Sequence, residues 1–223
     1  MGSSASCLDP VIIPLIKGRR VLDVGCGFGR WGMLIRTNSW ESYSYGSGNH
    51  AEIVGCDGFL PNVEMAHKSG HYHKVYHLLF PPLPFADSMF DTVLIADVIE
   101  HMKEEKGAKL IEEAKRVASH RVILSTPNYR ALRNAHATMT GWNPLEAHLS
   151  YWHRSYLRRR GFRLYGAGWR PGGRYLREGL RKFRLLPFYD QVVRPWLSSV
   201  SLYVPLFSEN VVGVWEKGNP GCN

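Results

Sequence analysis

The chain has 223 residues, of which 44% are hydrophobic and 21% charged. That make-up excludes a disordered chain and allows one full core, so a single domain over 1–223 with a small appendage is expected. The net charge of +9 favours anionic partners, whether nucleic acid, phosphorylated small molecules or an acidic membrane face, without choosing among them.

Cys7, Cys26, Cys56 and Cys222 form no CxxC pair, which predicts a reducing compartment and no structural zinc. No apolar run reaches the roughly 18 residues of a spanning helix, and the opening residues lack the basic-then-apolar order of a secretory signal. The initial Met-Gly-x-x-x-Ser fits a minimal myristoylation pattern, but so short a match reads first as a flexible terminus. A cytoplasmic protein is expected, with a peripheral membrane contact left open by a basic segment near the C-terminus.

In chain order, apolar runs alternate with helical patterns, the mark of a parallel α/β sheet. A strand over 20–24 runs into a glycine cluster, and a helix from about Gly29 carries Trp31, Leu34 and Ile35. Residues 37–50 read as a polar insertion. A strand over 53–56 and a helix through Val63, Ala66 and His67 follow, then a weaker strand over 73–77. Pro81, Pro82 and Pro84 enforce an extended loop. A strand over 91–96, an amphipathic helix over 103–118 and a strand over 121–125 come next. Beyond a loop rich in His and Trp, a helix is expected over 155–160 and strands over 162–167 and 211–216. Residues 170–206 break the alternation. Arg174, Arg177, Arg181 and Arg184 recur there at helical spacing, with Leu176, Leu180 and Phe183 on another face. This basic amphipathic insertion suits a lid, a membrane or RNA contact, or a helix packed on the sheet with its arginines in water.

Asp23-Val24-Gly25-Cys26-Gly27-Phe28-Gly29 lies at the end of a strand and opens a helix. Glycines there let backbone N–H groups approach a ligand. The GxGxG spacing differs from the dinucleotide fingerprint, and a carboxylate beside a pyrophosphate would be repulsive. An acid at Asp23 suits a ligand with a cationic amino group and a sulfonium. Asp57, ending the second strand, can accept both hydroxyls of a ribose, although it lies farther along than the usual ~20 residues. The 37–50 insertion accounts for the excess.

VLDVGCGFG, CDGF, LPFADSMFDTVLIADVIEHM and the STPN and HLSYWHRSYLRRRGF stretches together resemble the class I S-adenosylmethionine-dependent methyltransferases of the small type 11/12 kind, over roughly 21–168. The resemblance implies a doubly wound, seven-stranded Rossmann-like sheet with the last strand antiparallel, and an enzyme using S-adenosyl-L-methionine. It assigns Asp23 and the Gly25, Cys26, Gly27 and Gly29 backbone to the methionine part, and Asp57 with Gly58 and Phe59 to the ribose. Many relatives carry an acid before LPF for the adenine amine. This chain has Leu78-Leu79-Phe80-Pro81-Pro82, which leaves apolar and backbone contacts, Phe80 among them.

The expected chemistry lies at Asp97-Val98-Ile99-Glu100-His101, after the fourth strand and over the cofactor's methyl. Asp97 borders the cofactor and pairs with His101 as a candidate catalytic group, His101 acting as base or positioning residue. Asp97, Glu100 and His101 sit at i, i+3 and i+4, one face of a helix. With His148 they could bind Mg²⁺ or Mn²⁺. That set resembles small-RNA 2′-O-methyltransferases and quinone-biosynthesis O-methyltransferases, although the RNA enzymes have Glu where this chain has Asp97. Trp142, Trp152 and Trp169 are either acceptor-pocket walls or core.

The leading expectation is O- or N-methylation of a small-molecule or lipid-linked acceptor. RNA methylation is the second, and a non-catalytic, cofactor-binding scaffold is the alternative from another class.

Overall fold

Seven aliphatic runs become strands β1 (Arg20–Val24), β2 (Glu52–Asp57), β3 (Lys74–His77), β4 (Phe90–Ala96), β5 (Ala118–Pro127), β6 (Arg163–Ala167) and β7 (Asn210–Glu216). They form one sheet in the order β3-β2-β1-β4-β5-β7-β6. β7 runs antiparallel to both its neighbours, while the β1–β2, β1–β4, β2–β3 and β4–β5 pairs are parallel. The computed structural model describes residues 4–38, 52–128, 143–168, 181–182 and 186–218. Most of the polar insertion, the arginine helix apart from Arg181 and Lys182, and Trp142 and Trp169 lie outside the described residues.

Both faces of the sheet are buried because helices cover both, as parallel sheets require. On one face Leu22, Val24, Ile95 and Val122 pack under helix α3 (Glu104–Val117) through Leu110, Ile111 and Ala114. Glu104 and Glu105 in its first turn and Lys115 and Arg116 in its last complement the helix dipole. On the other face Val21, Ile53, Leu94 and Ile123 pack under helix α1 (Arg30–Asn38) through Trp31 and Ile35. N-terminal turns carrying Leu8 and Ile12 close that layer.

Helix α2 (Leu60–Lys68) joins β2 to β3, and helix α4 (Arg154–Arg159) precedes β6. β5 starts earlier than its apolar run suggests. Ala118 directly ends α3 and already pairs with Phe90. Trp152 is 3% exposed in the α3 layer, edge-on to Tyr156, and so belongs to the core rather than to a pocket wall.

Between β1 and β4 the strand order reverses, and the chains leaving these two strands part to opposite sides. Open α/β sheets hold ligands in the crevice this creates at the strands' carboxyl ends.

Candidate active site

At that crevice lies a cavity of about 810 Å³, within the ~300–1,000 Å³ of ligand sites. The glycine loop forms one wall. The Gly25 and Cys26 N–H groups both donate to the Cys56 carbonyl, at 2.8 and 3.0 Å, which ties the loop to the end of β2. Gly25 has φ +73°, and a Cβ there would stand 2.4 Å from Val98 Cγ2. Gly27 has φ +53°, with open space where its Cβ would be. The first glycine is needed for fit, and the second leaves its backbone bare to a ligand.

Asp57 lies on the same wall, 8% exposed. Its Oδ2 accepts the Gly27 N–H at 2.9 Å, and its Oδ1 accepts the Phe59 N–H at 2.8 Å. Burial raises its carboxyl above the usual range, while those N–H groups and Asn62 pull it back. Gly58, Leu78, Leu79 and Phe80 also line this end, whereas Phe59 does not.

Asp23 is placed differently from expectation. It is fully buried, yet it is not among the residues lining the cavity. Alternation along β1 puts it on the face of Val21 rather than of Leu22, under α1 and behind the loop. Its Oδ2 accepts the Tyr72 hydroxyl at 2.6 Å, and its Oδ1 has no partner among the described residues. Burial pushes its carboxyl up to about 7, against the pull of Tyr72. The Tyr72 hydroxyl in turn accepts the Gly32 N–H at 3.0 Å, capping the first turn of α1.

Arg30, which no motif singles out, lines the cavity beside the loop. Its Nη2 is held by both oxygens of Asp9 at 2.6 and 2.7 Å, while its buried Nη1 has no hydrogen-bond partner among the described residues.

Across the cavity the expected helical face is absent. Asp97 adopts φ +55°, and only a 3₁₀ turn, Ile99–His101, follows it. The left-handed residue reverses the chain, so Asp97 lines the same cavity but does not join the ligating atoms of the other two. Its Oδ1 instead accepts the Ser125 hydroxyl at 2.7 Å.

Glu100, His101 and His148 do come together, with one ligating atom from each within 4.8 Å of the others. Two bonds of ~2.1 Å to a common ion span at most ~4.2 Å, so the group would close slightly on a metal. His148 arrives because the Glu100 carbonyl accepts the Leu149 and Ser150 N–H groups at 2.7 and 3.1 Å. Glu100 is 1% exposed; its Oε2 accepts the Thr126 hydroxyl at 3.2 Å and its Oε1 has no partner among the described residues. Burial, then the Asp97 charge, hold its carboxyl well above the usual range.

Burial lowers both imidazoles, so both are neutral at pH 7. His101 Nδ1 faces the Ala147 carbonyl at 3.4 Å, and the tautomer that donates there leaves the lone pair on Nε2.

Residues 22–125 match a family described as "Methyltransferase domain". No curated protein matches the chain by sequence. A SAM dependent methyltransferase from Archaeoglobus fulgidus is similar over 94% of this chain and 91% of its own, at TM-score 0.57 and 18% identity. Magnesium protoporphyrin IX methyltransferase from Synechocystis PCC 6803, solved with bound SAM, is similar over 93% of this chain and 77% of its own, at TM-score 0.52 and 17% identity. The PH0226 protein from Pyrococcus horikoshii OT3 has 27% identity over 56% of this chain and TM-score 0.46, and the match spans 57% of that protein.

Proposed function

We propose that this chain is a class I S-adenosylmethionine-dependent methyltransferase, as its match over 22–125 and its fold support, and that it methylates an oxygen or nitrogen of an apolar small-molecule or lipid-linked acceptor. The observation that carries this reading is one continuous cavity with two chemically different ends. At one end stand the bare Gly27 backbone and Asp57, and at the other Glu100, His101 and His148.

The residues present fit the cofactor. Asp57 offers carboxylate lone pairs to ribose hydroxyls, and Leu78, Leu79 and Phe80 offer an apolar slot for a base. Arg30 Nη1 is a buried donor in need of an anion, which a methionine carboxylate would supply. Asp23 acts from behind the loop, where its field reaches a cationic ammonium through a low-dielectric layer without contact. When bound, S-adenosylmethionine supplies a methyl group activated by its sulfonium.

The protein's own residues then orient the acceptor and exclude water, so that positioning supplies much of the rate. His101 Nε2, on a neutral imidazole, takes the proton from the acceptor hydroxyl or amine. Leu149, 58% exposed at the cavity's edge beside Glu100, favours an apolar acceptor.

The Glu100, His101 and His148 cluster favours a second reading, RNA 2′-O-methylation with a divalent metal. The unpartnered Glu100 Oε1 and two neutral imidazoles suit Mn²⁺, or Mg²⁺ less well because Mg²⁺ prefers oxygen. These residues would hold the metal, which would polarise an acceptor oxygen.

Incubating the protein with methyl-labelled S-adenosylmethionine and a cell extract separates the readings. Label in a solvent-extractable, ribonuclease-resistant product is expected. Label confined to ribonuclease-sensitive, acid-insoluble material overturns the lipid reading and selects the RNA one.

A further inference from the structure

Ahead of β7 the backbone is helical without a break over 186–203. It is α-helical at Leu186–Phe188, π-helical at Tyr189–Val193 and α-helical again in helix α5 (Arg194–Tyr203). Its inner side rests on β6, with Tyr189 buried and Val193, Leu197 and Leu202 half-buried. Its outer side carries a stripe of exposed apolar side chains, interrupted by Ser199. Phe188, Val192, Trp196, Val200 and Tyr203 are 59, 54, 68, 39 and 81% exposed. Their spacing keeps all five within roughly 120° of the helix circumference. Contiguous exposed apolar surface of this kind marks a contact site.

We propose that this stripe docks the protein on an anionic membrane surface. Charge selects that occupant. Arg181 and Lys182 stand exposed shortly before the stripe, and 170–184 contains six Lys or Arg against one acid. Asp190 is the only acid in 186–204. An apolar helical face flanked by cations lies at the headgroup boundary, where the amphipathic rings of Trp and Tyr sit at the level of the headgroups.

The stripe is also tied to the active site. Asn128 Nδ2 donates to the Pro205 and Ser208 carbonyls at 2.9 and 3.0 Å, just beyond the helix. Asn128 directly follows Pro127, which lines the cavity. Docking thus holds the cavity near the bilayer; that this delivers a lipid-linked acceptor rests on the function proposed above, whereas the docking itself does not.

The test is sedimentation of the full chain with vesicles of phosphatidylcholine containing about 30% phosphatidylserine, and with phosphatidylcholine alone. Pelleting on the anionic vesicles is expected, with affinity at least about tenfold lower on neutral ones. A Val192→Ser/Trp196→Ser double variant should lose a similar factor while binding S-adenosylhomocysteine as the parent does. That binding also separates failure of docking from failure of the methyl-transfer reading. The proposal is overturned by parent protein that stays in the supernatant, or by a double variant that pellets equally. It is also overturned by a solution dimer that the double variant splits, which would assign the stripe to a second copy.

Discussion

Tyr72→Phe removes one oxygen and leaves the ring in place, and the structure sets the cost. The ring lies where Gly32 and Gly55 lack side chains, since a Cβ at either would come within 2.4 or 3.0 Å of it. The phenylalanine ring fills the same space, so no cavity opens. Two hydrogen bonds are lost: the one to Asp23 at 2.6 Å and the one from the Gly32 N–H at 3.0 Å. Neither Asp23 oxygen then has a partner among the described residues, and a helix N–H is orphaned. A bond to a charged group is worth about 1.5–3 kcal/mol and a stranded buried donor costs about 1–3. Partial relaxation brings the expected loss to about 2–4 kcal/mol, or roughly 4–16 °C in Tm for a chain of this size.

The loss depends on pH. Burial raises Asp23 to about 7 in the folded protein, above its unfolded value, so its contribution to stability is full below the unfolded pKa and declines as pH rises through 7. Without the Tyr72 donor its pKa rises further. At pH 5.5 both proteins hold Asp23 protonated and differ least, whereas at pH 8 the variant also lacks the bond to the anion. Urea denaturation at pH 5.5 and pH 8 measures both losses. A loss below about 0.5 kcal/mol at pH 8, or equal losses at both pH values, would show that the Tyr72 hydroxyl does not hold the Asp23 anion.

The other expectations concern the ligand site. Gly25→Ala combines a left-handed φ with a 2.4 Å approach to Val98 Cγ2. It should weaken S-adenosylhomocysteine binding roughly 10- to 100-fold by calorimetry, while circular dichroism keeps its parent shape. Ionised Asp23 favours the ligand's ammonium, so affinity should strengthen by up to about tenfold between pH 6 and pH 8; a flat profile there would deny Asp23 any part in binding. If the Glu100 cluster works through a metal, EDTA and His148→Ala should depress turnover alike, whereas an EDTA-insensitive enzyme would leave His101 as a metal-free base.

The glycine loop and Asp57 were legible in the sequence because a bare, tightly turned backbone and a terminal carboxylate admit few residue types. The strands were legible from their aliphatic runs, but the face each residue occupies was not. A strand buried on both sides shows no polar alternation, which is why Asp23 read as a ligand contact and lies behind the loop instead. Tyr72 carries no local signal of its own. The clue was indirect: Gly32 inside a helix and Gly55 inside a strand both mark close approach by another group. Asp97 lines the cavity as expected but stands outside the group of ligating atoms, because Asp-x-x-Glu-His fits a helical face, whereas aspartate is among the few residues that tolerate a positive φ. Arg30 showed only once the fold left its Nη1 buried and without a partner among the described residues.

The most direct test of the central claim is calorimetric titration of the protein and of Asp57→Ala with S-adenosylhomocysteine at pH 8. One site per chain is expected, with an affinity at least about tenfold lower in the variant, which loses the ribose acceptor and the Gly27 and Phe59 anchors. Absence of binding by the parent protein, or equal affinity in the two, would contradict that claim.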